Sequence, residues 1–125
     1  MSGDKLVVDT NIIIYHLNGD KTIELLLMGK KLAVSFISEI ELNSYPDLSN
    51  QQREVIQYFL SLTEIVHSNS YIVAEAVKIR IGKKLKTPDA IIAATALVLN
   101  LPLLSADKRL AGTSGLDLIT YTPAN

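Results

Sequence analysis

The chain has no cysteine and no tryptophan, only two histidines and two phenylalanines, and almost no excess of either charge. Without cysteine there can be neither a disulfide nor a thiolate-bound zinc, which suits a reducing compartment. The two histidines, His16 and His67, lie far apart in sequence without a matched partner, and read as packing or surface residues rather than as bases or ligands. A formal net charge of −1 creates no general field for nucleic acid or a membrane surface, so any contact with a polyanion must be local. The longest apolar stretch, around Ala90 to Leu99, is interrupted by Thr95 and is far too short to span a bilayer. Met1-Ser2-Gly3-Asp4-Lys5 is too polar to open a secretory signal, and the expectation is a cytoplasmic protein.

What is present is core-forming material. Hydrophobic residues make up 48% of 125 residues and charged ones 20%, enough for one domain spanning residues 1–125. Short apolar runs, many of them β-branched, alternate with longer helical stretches. Strands are expected at Lys5 to Asp9, Lys31 to Ser35, Glu64 to His67, Leu101 to Leu104 and Leu116 to Ile119. Helices are expected near Thr10 to Leu17, Thr22 to Met28, Ser38 to Ser44, Asn50 to Leu62, Ser70 to Ile81 and Pro88 to Asn100. Strands separated by helices imply an α/β fold, a mainly parallel sheet covered on both faces.

Four acids fall at the junctions of these elements: Asp9, Glu41, Asp89 and Asp107. Asp9 ends the first strand and Asp107 follows the fourth. If those strands are parallel, the helix from Pro88 must descend to feed the fourth, leaving Asp89 on the same upper rim. Glu41 follows the second strand closely enough to arrive there too. Each acid also has a local explanation. Asp9 can cap the helix that follows it, and Asp107 can be an exposed loop acid. Ser38-Glu39-Ile40-Glu41 reads as a capping box with Ser38 at N-cap, and Asp89 gains from the helix dipole behind a Thr87 cap. Local explanations do not require that all four junctions on one rim carry an acid. Carboxylates converging there repel one another unless a hard divalent cation is shared between them.

Leu6-Val7-Val8-Asp9-Thr10-Asn11, Ile37-Ser38-Glu39-Ile40-Glu41-Leu42, Thr87-Pro88-Asp89-Ala90-Ile91-Ile92-Ala93-Ala94-Thr95-Ala96 and Leu103-Leu104-Ser105-Ala106-Asp107 resemble the successive motifs of PIN domains, most closely those of VapC-type ribonuclease toxins. The resemblance covers essentially the whole chain in order; its third motif is the most specific and its second the least. It implies a three-layer α/β/α sandwich around a five-stranded parallel sheet and an Mg²⁺- or Mn²⁺-dependent endoribonuclease. Asp9, Glu41, Asp89 and Asp107 would then be the catalytic and metal-binding acids, in a homodimer with a small antitoxin partner. Ser105 stands where the family more often has Thr, which keeps the hydroxyl, and Leu110 where an aromatic residue is common.

The ligand type agrees with that implication, since carboxylate oxygens without a histidine cluster favour Mg²⁺ or Mn²⁺ over zinc. Asp9 is expected as the central ligand, completed by Asp89 and Asp107, with Glu41 a ligand or the orienter of a water. Thr10, Asn11 and Ser105 are expected to hold the carboxylates in place. A basic run, Lys78, Arg80, Lys83, Lys84 and Lys86, leads into the Asp89 motif, and Lys83, Lys84 and Lys86 are candidates for RNA phosphates. Its plainer reading is a solvated helix end. The helix from Pro88 to Leu99 is apolar around most of its circumference; if the sheet covers one side only, a second copy must cover the rest.

Other functions fit less well. A haloacid-dehalogenase-like phosphatase needs an acid two positions after Asp9, where Asn11 stands. A receiver domain needs a phosphorylatable Asp after the third strand, and Val66-His67-Ser68-Asn69 offers none. Glycine-rich dinucleotide and P-loop motifs are missing. The strongest competitor is a catalytically silent PIN-like module that binds RNA or a protein.

Overall fold

The structure is a computed structural model, and residues 4–123 are described. Met1 to Gly3, which open the polar N-terminal stretch noted above, lie outside them, as do Ala124 and Asn125. The elements run β1 (Lys5–Val8), α1 (Thr10–Leu17), α2 (Lys21–Leu27), β2 (Lys31–Ser35), α3 (Phe36–Asn43), α4 (Asn50–Ser61), β3 (Glu64–Val66), α5 (Ser70–Gly82), α6 (Thr87–Leu99), β4 (Leu103–Ser105) and β5 (Leu118–Thr120). A short 3₁₀ helix, Lys108–Leu110, follows β4. The five strands form one parallel sheet in the order β3-β2-β1-β4-β5. Among the described residues no helix is long and apolar enough to cross a membrane.

Alternation along the strands builds two cores. Val7, Ala33 and Leu103 point to the face covered by α5 and α6, where they meet Ile72, Ala76, Ile92 and Ala93. Leu6, Val8, Val34 and Leu104 point to the opposite face, against Ile12, Ile23, Leu42 and Phe59 of α1 to α4. Both faces are therefore dry, which is why these strands are apolar at successive positions rather than at alternate ones. The result is the expected α/β/α sandwich.

The strand order locates the rim where chemistry is expected. From β1 the chain moves outward through β2 and β3, then returns to the other side of β1 for β4 and β5. The crevice between the C-terminal ends of β1 and β4 is thus the topological switch point, where open parallel sheets bind ligands. Asp9 leaves β1 and Asp107 follows β4 at this crevice.

Several local expectations are corrected. The helix after β2 starts at Phe36, with Ser35 as its N-cap accepting a hydrogen bond from Ile37 N at 3.1 Å. Ser38 is therefore a buried residue inside α3, Glu41 lies beyond its first turn, and the capping box expected there does not exist. A reciprocal capping box forms instead at Ser49 and Gln52. Thr87 does not cap α6: Lys86 occupies that position without a side-chain cap bond. The fourth strand begins beyond Pro102, and the fifth is shifted toward Thr120, which pairs with Ser105. Asn100, in the left-handed region at φ 54°, stops α6 and turns the chain toward β4.

Nor does α6 need a second copy to cover the sides that the sheet leaves open. Besides the sheet, α5 lies along it in the most extensive contact between described elements, and α3 touches it as well. The apolar circumference of α6 is largely covered within the chain.

The helix register at α3 can be tested by stability. Ser35→Ala should lower unfolding free energy by about 0.5–2 kcal/mol through loss of the cap, with an unchanged denaturant slope. Glu41→Gln should change it by less than about 0.5 kcal/mol. The reverse ranking in urea titrations would mean that the helix starts at Ser38.

Candidate active site at the switch point

Asp9 is the most deeply set acid of the rim, 6% exposed. It leaves the sheet with extended backbone angles and caps α1, so the local and the functional readings of this residue coexist. Oδ1 accepts from Thr10 N at 2.8 Å, and Oδ2 accepts from the Ser105 hydroxyl at 2.6 Å. One donor on each oxygen leaves further lone pairs directed at the crevice. Ser105 is fully buried at the end of β4, and its Oγ also accepts from Asp107 N at 3.0 Å. A single hydroxyl thus ties the acid after β1 to the loop that carries the acid after β4. Asn11 strengthens that tie: its Oδ1 accepts from Ala106 N at 3.3 Å.

Asp89 arrives from the first turn of α6, and Asp107 caps the 3₁₀ helix by accepting from Arg109 N at 2.9 Å. Asp9, Asp89 and Asp107 are close enough to act on one another's charge. Burial, with repulsion from Asp89 and Asp107 behind it, pushes the Asp9 carboxyl above the ordinary carboxylate range despite its two hydrogen bonds. Burial and then repulsion from Asp107 do the same to Asp89, against the pull of Arg109 and Lys86. Asp107 moves the other way, because the Arg109 guanidinium is bonded to it.

Arg109 escaped the sequence reading. Its Nε and Nη2 grip Asp107 Oδ1 and Oδ2 at 3.0 and 2.8 Å, and Nη2 reaches Asp89 Oδ2 at 3.4 Å. The available signal was a base two residues after an acid in a turn, a spacing that lets the side chain fold back.

Glu41 stands apart from the three aspartates. The Thr10 hydroxyl lies 2.6 Å from Glu41 Oε1 and 2.8 Å from Ser38 Oγ. Having one proton, it donates to the carboxylate and can accept from Ser38. Glu41 is therefore linked to Asp9 through Thr10 rather than facing it directly. Thr10, Asn11 and Ser105 all contact the acid rim. The lysines are dispersed: Lys83 Nζ donates to Ala111 O at 2.6 Å, Lys84 is exposed, and Lys86 is near enough to Asp89 to influence it. Farther up the run, Lys78 pairs with Glu75 and Arg80 Nε donates to Leu85 O.

Among the described residues no group of three or more acidic or histidine side chains is arranged to hold a metal ion. The donor chemistry nevertheless fits a hard divalent cation: oxygen atoms only, like charges forced together, and a single fully formal positive group drawn between two of them. Asp9, Asp89 and Asp107 are the residues that could hold it, with Glu41 joined to Asp9 through Thr10.

The raised Asp9 acidity constant carries a sign. The folded state holds this proton more tightly than the unfolded chain does, so stability from this group falls as pH rises from the ordinary carboxylate value through the folded one. Asp9→Asn should therefore raise the melting temperature of metal-free protein by roughly 2–5 °C. A lower melting temperature at pH 7 would show that the hydrogen bonds to the carboxylate outweigh its desolvation.

The sequence profile of the PIN domain family matches residues 6–116. No curated protein matches the chain. Among solved structures, a chain of a toxin–antitoxin complex from Klebsiella pneumoniae is similar at TM-score 0.80 and 29% identity, covering 92% of this chain and 96% of that one. A chain of VapBC2 from Rickettsia felis, solved with a promoter DNA fragment, matches at TM-score 0.78 and 22% identity, over 94% and 99%. One from VapBC-1 of nontypeable Haemophilus influenzae matches at 0.75 and 24%, over 93% and 97%. With its parallel sheet, its acids at the switch point and a family profile spanning nearly all its length, the chain belongs to the PIN domain family and is VapC-like.

Proposed function

We propose that the chain is a metal-dependent endoribonuclease, the toxin of a VapBC-type toxin–antitoxin pair acting in the cytoplasm. The observation that carries this reading is the convergence of Asp9, Asp89 and Asp107 at one crevice, where their mutual repulsion is relieved only in part by one guanidinium. Asp9, Asp89 and Asp107 would hold Mg²⁺ or Mn²⁺. When bound, such an ion lowers the pKa of its water and neutralises charge on the scissile phosphate. Glu41, held by Thr10, orients the attacking water and accepts its proton at a carboxylate oxygen. Ser105 and Asn11 fix the spacing between the loops after β1 and β4, and so the spacing of the acids. Lys86, near Asp89, and the exposed Lys84 meet the phosphate backbone, with Lys83 holding their loop against Ala111.

Two surfaces support partners. A groove of about 370 Å³ between α1, α3 and α4, lined by Ile14, Leu17, Leu42, Tyr45 and Val55, suits an apolar segment of a small antitoxin. Val73, Val77 and Ile81 of α5, the last 83% exposed, border a groove with Thr87 and Ile91 of α6 and suit a second copy of the chain. This face, formed mainly by α5, is the proposed dimer surface.

Purified protein incubated with total cellular RNA should cleave it with Mg²⁺ or Mn²⁺ and stop with excess EDTA. Asp9→Asn and Glu41→Gln should each lower the rate by at least about a hundredfold while remaining folded. RNA that is retained in a gel but left intact with every ion would favour the silent binding module. For assembly, sedimentation should give a dimer at micromolar concentration for the wild type and a monomer for Ile81→Glu; a wild-type monomer would refute the α5 interface.

A further inference from the structure

Arg109 holds the acids in two separable ways. Its backbone N–H bonds Asp107 Oδ1 as part of the 3₁₀ turn, while its guanidinium spans both Asp107 oxygens and reaches Asp89. The first bond shapes the loop and does not need the side chain. The second lies at the mouth of the crevice: the Arg109 side chain is 58% exposed, whereas those of Asp107 and Asp89 are 15% and 23%. Neighbouring Lys108 makes no such bonds.

The carboxylates gripped by the guanidinium are those that a divalent cation would use, so two positive groups compete for the same place. We infer that Arg109 is a displaceable counter-ion of the site: a divalent cation expels its guanidinium from Asp107 and Asp89, and the freed fork then binds the phosphodiester arriving at the mouth. This rests on the reading that the rim acids hold such a cation. Exposed ion pairs are weak enough for a doubly charged competitor to break them. A displaced guanidinium stays tethered two residues from Asp107, and its planar fork matches two phosphate oxygens as well as it matched two carboxylate oxygens. The same side chain thereby limits the repulsion among the acids before the ion binds and adds positive charge for the substrate afterwards.

The test uses the full chain as wild type, Arg109→Gln and Arg109→Lys. Each is titrated with Mn²⁺ alone, read by the electron paramagnetic resonance of the free ion, and assayed on total cellular RNA at saturating Mn²⁺. Arg109→Gln should bind Mn²⁺ roughly three- to tenfold more tightly and yet cleave at least about tenfold more slowly. Arg109→Lys, which keeps the charge but loses the fork, should show both changes at smaller size, so the test does not depend on one variant folding. Mn²⁺ binding by the variants that is unchanged or weaker than wild type overturns the counter-ion role. Tighter binding with undiminished cleavage overturns the phosphate role. If neither the wild type nor the variants bind Mn²⁺, the metal-dependent reading falls and this inference with it.

Discussion

The hydrogen bond from Ser105 to Asp9, 2.6 Å between two residues that are almost entirely buried, is the contact on which the rim depends. It crosses the switch point, joining the C-terminal ends of β1 and β4, the two strands from which the chain winds outward in opposite directions. A parallel sheet leaves this crevice open because no connection passes over it. Ser105 closes its floor. The same oxygen receives the Asp107 backbone, so displacement of one acid is transmitted directly to the other. A side chain without a hydroxyl here would leave a buried carboxylate short of a donor, a costly defect in a dry environment.

The charge balance above that floor is deliberately incomplete in physical terms. Three aspartates share one guanidinium, and the acid farthest from it is the most buried. Asp9 is consequently raised while Asp107, in direct contact with the base, is lowered. A rim with matching charges would be more stable and would attract no further cation. Such a concession of stability at one place is typical of functional sites, and here the surrounding sheet, with apolar cores on both faces, is well able to bear it.

Glu41 and the helix that carries it show how a small shift in a boundary alters the meaning of a residue. With α3 starting at Phe36 rather than Ser38, Ser38 turns inward, and its hydroxyl, that of Thr10 and the Glu41 carboxylate form a chain leading from the second strand's helix back to α1. The local cap that could have explained Glu41 is supplied by Ser35 instead. Likewise, the apolar wrap of α6 is largely covered within the chain, while α5 leaves Val73, Val77 and Ile81 exposed.

The sequence by itself determined the alternation of strands and helices, the two-faced burial of the sheet, and the arrival of Asp9, Asp89 and Asp107 on one rim. These follow from periodicity along the chain and from the handedness of parallel connections, both of which are encoded locally or restricted to few topologies. The strand order, and with it the switch point, was decided by tertiary structure, since every short apolar strand here could pair with several others. The start of α3 was also a tertiary decision: Ser35 and Ser38 are both competent caps, and in the fold Ser35 takes the cap while Ser38 is buried and bonded to Thr10. Arg109 is the clearest case. Its identity was in plain view, but whether a flexible cation points to solvent or folds back over Asp107 and Asp89 depends on charges brought together from residues 89 and 107, which no local pattern specifies.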